Sequence, residues 1–220
     1  MNKRLITVGI LILGITIAGK LIFSAFRNLK TDEFHKASVI FVLDTSASNR
    51  DMLTEEENYI KSLCAILDPE DSIKILKTAE TSYIIYEGNP GDYSGIKKAI
   101  DEFTKDNTNK TSYGEGIKKA IDHSLTMKKE GYVPAVVVLG TLENNGDNSK
   151  QINWDTLPKN ISKAKQYVPE LAMMFVYAHP EKLDLVKTKL NPVLGESKLI
   201  IANSANADKA SRRFLQAIGR

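Results

Sequence analysis

The sequence has a single cysteine, Cys64, so no disulfide can form within the chain. Its three histidines, His35, His123 and His179, are scattered, and no Cys/His set has zinc spacing. No G-x-x-x-x-G-K-S/T loop is present, and no G-x-G-x-x-G follows the first strand-like run, so the common nucleotide-binding signatures are missing. Nor is there a nucleophile elbow or a triad order. Excess charge of one sign is missing too. The formal +3 comes from Lys3, Arg4 and Lys20 in an acid-free first 26 residues, and the remainder carries 27 basic and 27 acidic residues. That balance gives no drive toward nucleic acid. Pairs such as Lys118-Lys119 and Lys128-Lys129 read as solvated helix faces. Cys64 shares an apolar helical stripe with Ile60, Leu63 and Leu67, and reads as a small buried hydrophobe rather than a reactive thiol.

What is present begins with an apolar N-terminus. Between Leu5 and Phe26 the only charge is Lys20, and Lys3 and Arg4 precede the stretch. Twenty-two residues suffice to cross roughly 30 Å of hydrocarbon, with Lys20 reaching the interface. A cleavage site ending at Ala18 would put Thr16 at the −3 place, and one ending at Ala25 would put Phe23 there. Neither is a good match, so residues 1–27 are expected to be an uncleaved anchor, with a cleaved signal peptide as the alternative. Lys3 and Arg4 favour an N-terminus inside. The expectation is a single-pass membrane protein with its globular part outside the cytoplasm. The N-x-S/T triplets at Asn109 and Asn160 read as chance matches, consistent with a prokaryotic source.

A linker over residues 28–36 leads into a domain over residues 37–220. Strand-like runs at 38–44, 72–78, 81–86, 134–140, 171–178 and 198–202 alternate with amphipathic helices at 52–67, 92–104, 112–130, from 155, 180–190 and 207–218. This order predicts an α/β, Rossmann-like, doubly wound sheet of six strands. It is mostly parallel, with helices on both faces, and the 72–86 hairpin supplies one antiparallel edge strand.

The chemistry gathers at the end of the first strand, Val39-Ile40-Phe41-Val42-Leu43-Asp44-Thr45-Ser46-Ala47-Ser48. A continuous apolar run of this kind is a buried parallel strand. Open α/β sheets bind ligands at the carboxyl ends of such strands. Asp44, Ser46 and Ser48 are hard oxygen donors, the type that Mg²⁺, Mn²⁺ or Ca²⁺ prefers. A D-x-D phosphotransfer enzyme would need an acid where Ser46 stands. A second motif, Thr111-Ser112-Tyr113-Gly114-Glu115-Gly116-Ile117, opens a helix; taken alone, Thr111 reads as an N-cap.

Together these motifs resemble the von Willebrand factor A domain family, over about residues 37–219. That family has D-x-S-x-S after the first strand, matched at Asp44, Ser46 and Ser48. It has T-x-x-G-x-A/G-I/L at a later helix start, matched at Thr111, Gly114, Gly116 and Ile117. An aspartate after the fourth strand normally completes a metal-ion-dependent adhesion site. Here the step reads Gly140-Thr141-Leu142-Glu143, without aspartate. Thr141 takes that position as a weak neutral ligand, and Glu143 reaches the metal only if its loop folds back.

The resemblance implies a non-enzymatic, membrane-anchored module that recognises a protein partner through a weakly bound Mg²⁺ or Mn²⁺, with Ca²⁺ as a further option. The partner can supply a carboxylate to the ion. Specificity would come from loops 49–52, 107–113 and 142–153, with Asn49, Arg50, Tyr113, Asn144, Asn145 and Asp147 on the recognition rim. Neither nucleic acid nor a small-molecule substrate is expected. The competing reading is a metal-free scaffold subunit of a membrane complex.

Overall fold

A computed structural model describes residues 35–103, 108–143, 145 and 147–220. The expected anchor over 1–27 and most of the linker lie outside these residues. Among the described residues no helix is long and apolar enough to cross a membrane.

The elements alternate as expected. Strand β1 (Ala37–Asp44) is followed by helix α1 (Leu53–Cys64), β2 (Ser72–Thr78), β3 (Ser82–Gly88), α2 (Tyr93–Phe103) and α3 (Tyr113–Lys129). Then come β4 (Val133–Leu139), α4 (Leu157–Lys165), β5 (Ala172–Val176), α5 (Pro180–Leu194), β6 (Leu199–Ala202) and α6 (Ala207–Ala217). The six strands form one sheet in the order β3-β2-β1-β4-β5-β6. Every neighbouring pair is parallel except β2–β3, so β3 is the antiparallel edge.

The alternation of side chains along β1 divides the core. Val39, Phe41 and Leu43 face one layer with α1, α2 and α6, whereas Ile40 and Val42 face the other with α3, α4 and α5. All five are fully buried. Each such side chain contributes about 1.5–3 kcal/mol of transfer free energy. Covering both faces explains why β1 and β4 read as continuous apolar runs.

Most boundaries shift by one or two residues from the sequence expectation, and three shifts have a visible local cause. α1 ends at Cys64 rather than residue 67 because the chain turns into Asp68-Pro69, and the Asp71 amide donates to the Asp68 carbonyl at 2.9 Å. α4 begins at Leu157 rather than 155, because the Asn153 side chain accepts the amides of Asp155 and Thr156 first. α5 continues through Pro192 to Leu194, where Gly195 stops it with φ +80°.

The amino end of the sheet is tied by Asp71. Its carboxylate accepts the Ala37 amide at 2.7 Å and the Asp68 amide at 2.9 Å, and pairs with Arg220. A buried acid there is matched by a cation and two donors.

Candidate functional site

At the carboxyl end Asp44 closes β1, pairing with Thr78 of β2. Its Oδ1 accepts the Ser46 amide at 2.8 Å, an Asx turn that holds the carboxylate against its own loop. The hydroxyls of Ser46 and Ser48 lie 3.0 Å apart. Ser46 is buried and Ser48 exposed, so the donor set runs from the interior to solvent.

Thr111 arrives from a separate loop. Its hydroxyl lies 3.3 Å from Asp44 Oδ1 and 3.4 Å from Oδ2. Two sets of bonds place it. The Ala47 amide donates to the Thr108 carbonyl at 2.8 Å, joining this loop to that of Asp44. Ser112 Oγ bonds the Glu80 carbonyl and Ser82 Oγ the Ser112 carbonyl, joining it to the β2–β3 hairpin. Behind it, a Cβ on Gly116 would strike Thr78 and come within 3.0 Å of Val42, so glycine lets α3 sit tightly on the sheet.

The structure brings Asp44, Ser46, Ser48 and Thr111 together, and it places the other expected site residues differently. Thr141 uses its hydroxyl within its own loop, accepting the Glu143 amide at 3.3 Å, and its carbonyl accepts the His179 amide. Glu143 is exposed, 3.9 Å from His179 Nε2. Leu142 adopts φ +63° and stays because its side chain is buried in the second core layer.

Two rim residues are corrected. Asn49 is buried, not exposed: its Nδ2 donates to the Asp44 carbonyl and to both carboxylate oxygens of Glu56, each at 2.9 Å. Tyr113 is also fully buried, because its ring fills the α3 side of the core. Its hydroxyl sits 3.3 Å from Asp44 Oδ2 and 3.1 Å from the Leu139 carbonyl. Arg50, Asn145 and Asp147 are exposed, and Asp147 caps a short turn through the Ser149 amide. Asn144 lies outside the described residues.

Glu56 was missed by sequence reasoning. It reads as the middle of a solvated Glu55-Glu56-Glu57 run, yet it lies four residues before Ile60 on the buried stripe of α1. That phase was the available signal. Burial pushes its carboxyl up to about 8 against the opposing Asn49 hydrogen bond. Burial also raises the Asp44 carboxyl, with hydrogen bonds from Ser46, Thr111 and Tyr113 pulling the other way. For Tyr113, burial and the nearby acids hold the phenol well above its ordinary value, so it remains a neutral donor.

Among the described residues no three His, Cys, Asp or Glu side chains cluster as metal ligands. A cation here would rest on one clear carboxylate, three hydroxyls and water. Those are all hard oxygen donors, and Mg²⁺ retains several waters in such sites. The buried Asp44 carboxylate has no ion-pair partner among the described residues. The residues present therefore fit a divalent ion.

Residues 39–141 match the von Willebrand factor type A domain. The strand order above agrees with this match. No curated protein matches the sequence. Solved structures share the fold at low identity. BatB from Bacteroides thetaiotaomicron is 15% identical with a TM-score of 0.58, covering 84% of this chain and 100% of its own. An aerotolerance-related membrane protein from Bacteroides fragilis is 15% identical, TM-score 0.57, covering 83% of this chain and 98% of its own. Proximal thread matrix protein 1 from the mussel byssus, with a zinc-occupied adhesion-site motif, is 18% identical, TM-score 0.55, covering 84% of this chain. This chain spans only 45% of that mussel protein.

Proposed function

We propose that this domain recognises a protein partner at a membrane surface through a divalent cation held at the carboxyl edge of the sheet. Asp44, Ser46, Ser48 and Thr111 hold the ion, and the exposed Ser48, Arg50, Asn145 and Asp147 belong to the surrounding rim. The observation that carries this reading is the Thr111 hydroxyl, brought from a separate loop to both oxygens of Asp44. The zinc-occupied site of the mussel protein and the membrane origin of the Bacteroides fragilis protein support it by fold. The apolar stretch from Leu5 to Phe26 is the anchor, with the domain outside the cytoplasm.

Calorimetric titration of the full chain in detergent with Mg²⁺ and Mn²⁺, beside Asp44→Ala, tests this. Saturable binding that the substitution abolishes is expected. Absence of heat and of any thermal shift up to about 10 mM would sink the reading. The alternative, a metal-free scaffold, is favoured by one observation: the Tyr113 hydroxyl already contacts Asp44 Oδ2. On that view hydrogen bonds alone hold the loop.

A further inference from the structure

Two buried acids stand at the carboxyl edge, and the loop after β4 accounts for neither. Glu56 is completely buried, and its one hydrogen-bond donor among the described residues is the neutral Asn49 amide. The same amide group holds the Asp44 carbonyl, so a single side chain links the acid of α1 to the loop after β1. An ideal Cβ on Gly140 would lie 3.2 Å from Asp44 Cβ and 3.3 Å from Glu56 Oε1, so both acids flank one α-carbon.

Buried carboxylates are ordinarily paired with a cation, as Asp71 is with Arg220. Neither Glu56 nor Asp44 forms an ion pair among the described residues. Two further oxygens in this stretch are also unsatisfied: Thr45 Oγ1 and Asn49 Oδ1 are buried without a hydrogen-bond partner. Native interiors leave few such atoms unless something outside the chain meets them. Two carboxyl groups beside unmatched oxygens select a cation with its waters, whose binding draws the proton off Glu56, over an anion or an apolar ligand.

We propose that Glu56 is the second carboxylate of the Asp44 cation site, supplying from α1 the negative charge that the loop after β4 does not supply. The assignment rests on the cation reading above. It explains how a site lacking the fourth-strand acid keeps the charge that divalent affinity requires. Asn49 is then a positioning residue, keeping Glu56 and the Asp44 loop in register.

The test is calorimetric titration of the purified full chain with Mn²⁺, comparing the native protein, Glu56→Gln and Asp44→Ala, with melting curves in chelator. Glutamine keeps the size of the side chain and an acceptor for Asn49. Native binding should be saturable, at least tenfold weaker in Glu56→Gln and lost in Asp44→Ala. Melting of Glu56→Gln in chelator should equal or exceed that of the native chain. Native-like affinity in Glu56→Gln, within twofold, overturns the assignment and leaves the cation site standing. Weaker binding accompanied by lower melting in chelator overturns it in favour of a packing role. No binding to the native chain overturns both.

Discussion

The two ends of the sheet treat buried acids in opposite ways. At the amino end Asp71 is fully buried, meets Arg220, and accepts the amides of Ala37 and Asp68. At the carboxyl end Asp44 and Glu56 meet amides and hydroxyls but no cation among the described residues. The first arrangement satisfies itself and fastens the fold. The second has no counter-charge from the protein; Glu56 holds a proton instead, and a cation that displaces it is the ligand such a place admits. The contrast separates acids that serve the fold from acids that serve recognition.

The comparison can be broken most severely at the amino end. Asp71→Ala should remove the carboxylate that pairs with Arg220 and the acceptor of two amides, costing about 3–5 kcal/mol. Urea denaturation measures this; a loss below about 1 kcal/mol would remove Asp71 as a fastening. At the carboxyl end, pH sharpens the comparison. The folded Glu56 carboxyl, about 8, lies above its ordinary 4.5, so the folded state holds a proton that the unfolded chain releases. Stability is therefore full below about pH 4.5, falls as pH rises, and levels off above about 8. At about 1.4 kcal/mol per pKa unit, a loss of at most about 5 kcal/mol is expected in chelator. Glu56→Gln should remove most of that slope; an unchanged slope would place its origin elsewhere.

A smaller effect probes the Tyr113 contact. At Gly140, φ is +114° and a Cβ would clash with the Tyr113 hydroxyl. Gly140→Ala should cost about 1–3 kcal/mol. In a Tyr113→Phe background, loss of the hydroxyl should recover part of this. Equal cost in both backgrounds would assign the penalty to the backbone alone.

Much of this architecture was legible because its signals are repeated. The apolar run of β1, the strand–helix alternation and the short β2–β3 connection each point to the same sheet. The ligand cluster was legible because Asp44, Ser46 and Ser48 are near in sequence and Thr111 opens a recognisable helix. Glu56, Asn49 and Tyr113 were not, for a common reason. Each is polar, and polar side chains beside turns are read as solvated unless their partners are known. Those partners lie on other elements: Glu56 for Asn49, Asp44 and Leu139 for Tyr113. Such pairings exist only after the layers dock.

The central pairing of β1 with β4 has a consequence for assembly. Residues 37–103 build β1, β2 and β3, whereas 108–217 carry Thr111 and build β4, β5 and β6, and the two halves of the sheet join where Leu43 faces Leu139. Asp44 and Glu56 belong to the first half, Thr111, Tyr113 and Gly140 to the second. A slip of one residue would turn Phe41 and Leu43 toward the wrong helices and carry Asp44 away from Thr111. Completion of this constellation thus proofreads the join. Two separately produced fragments divided near residue 105 would regain it only on correct complementation.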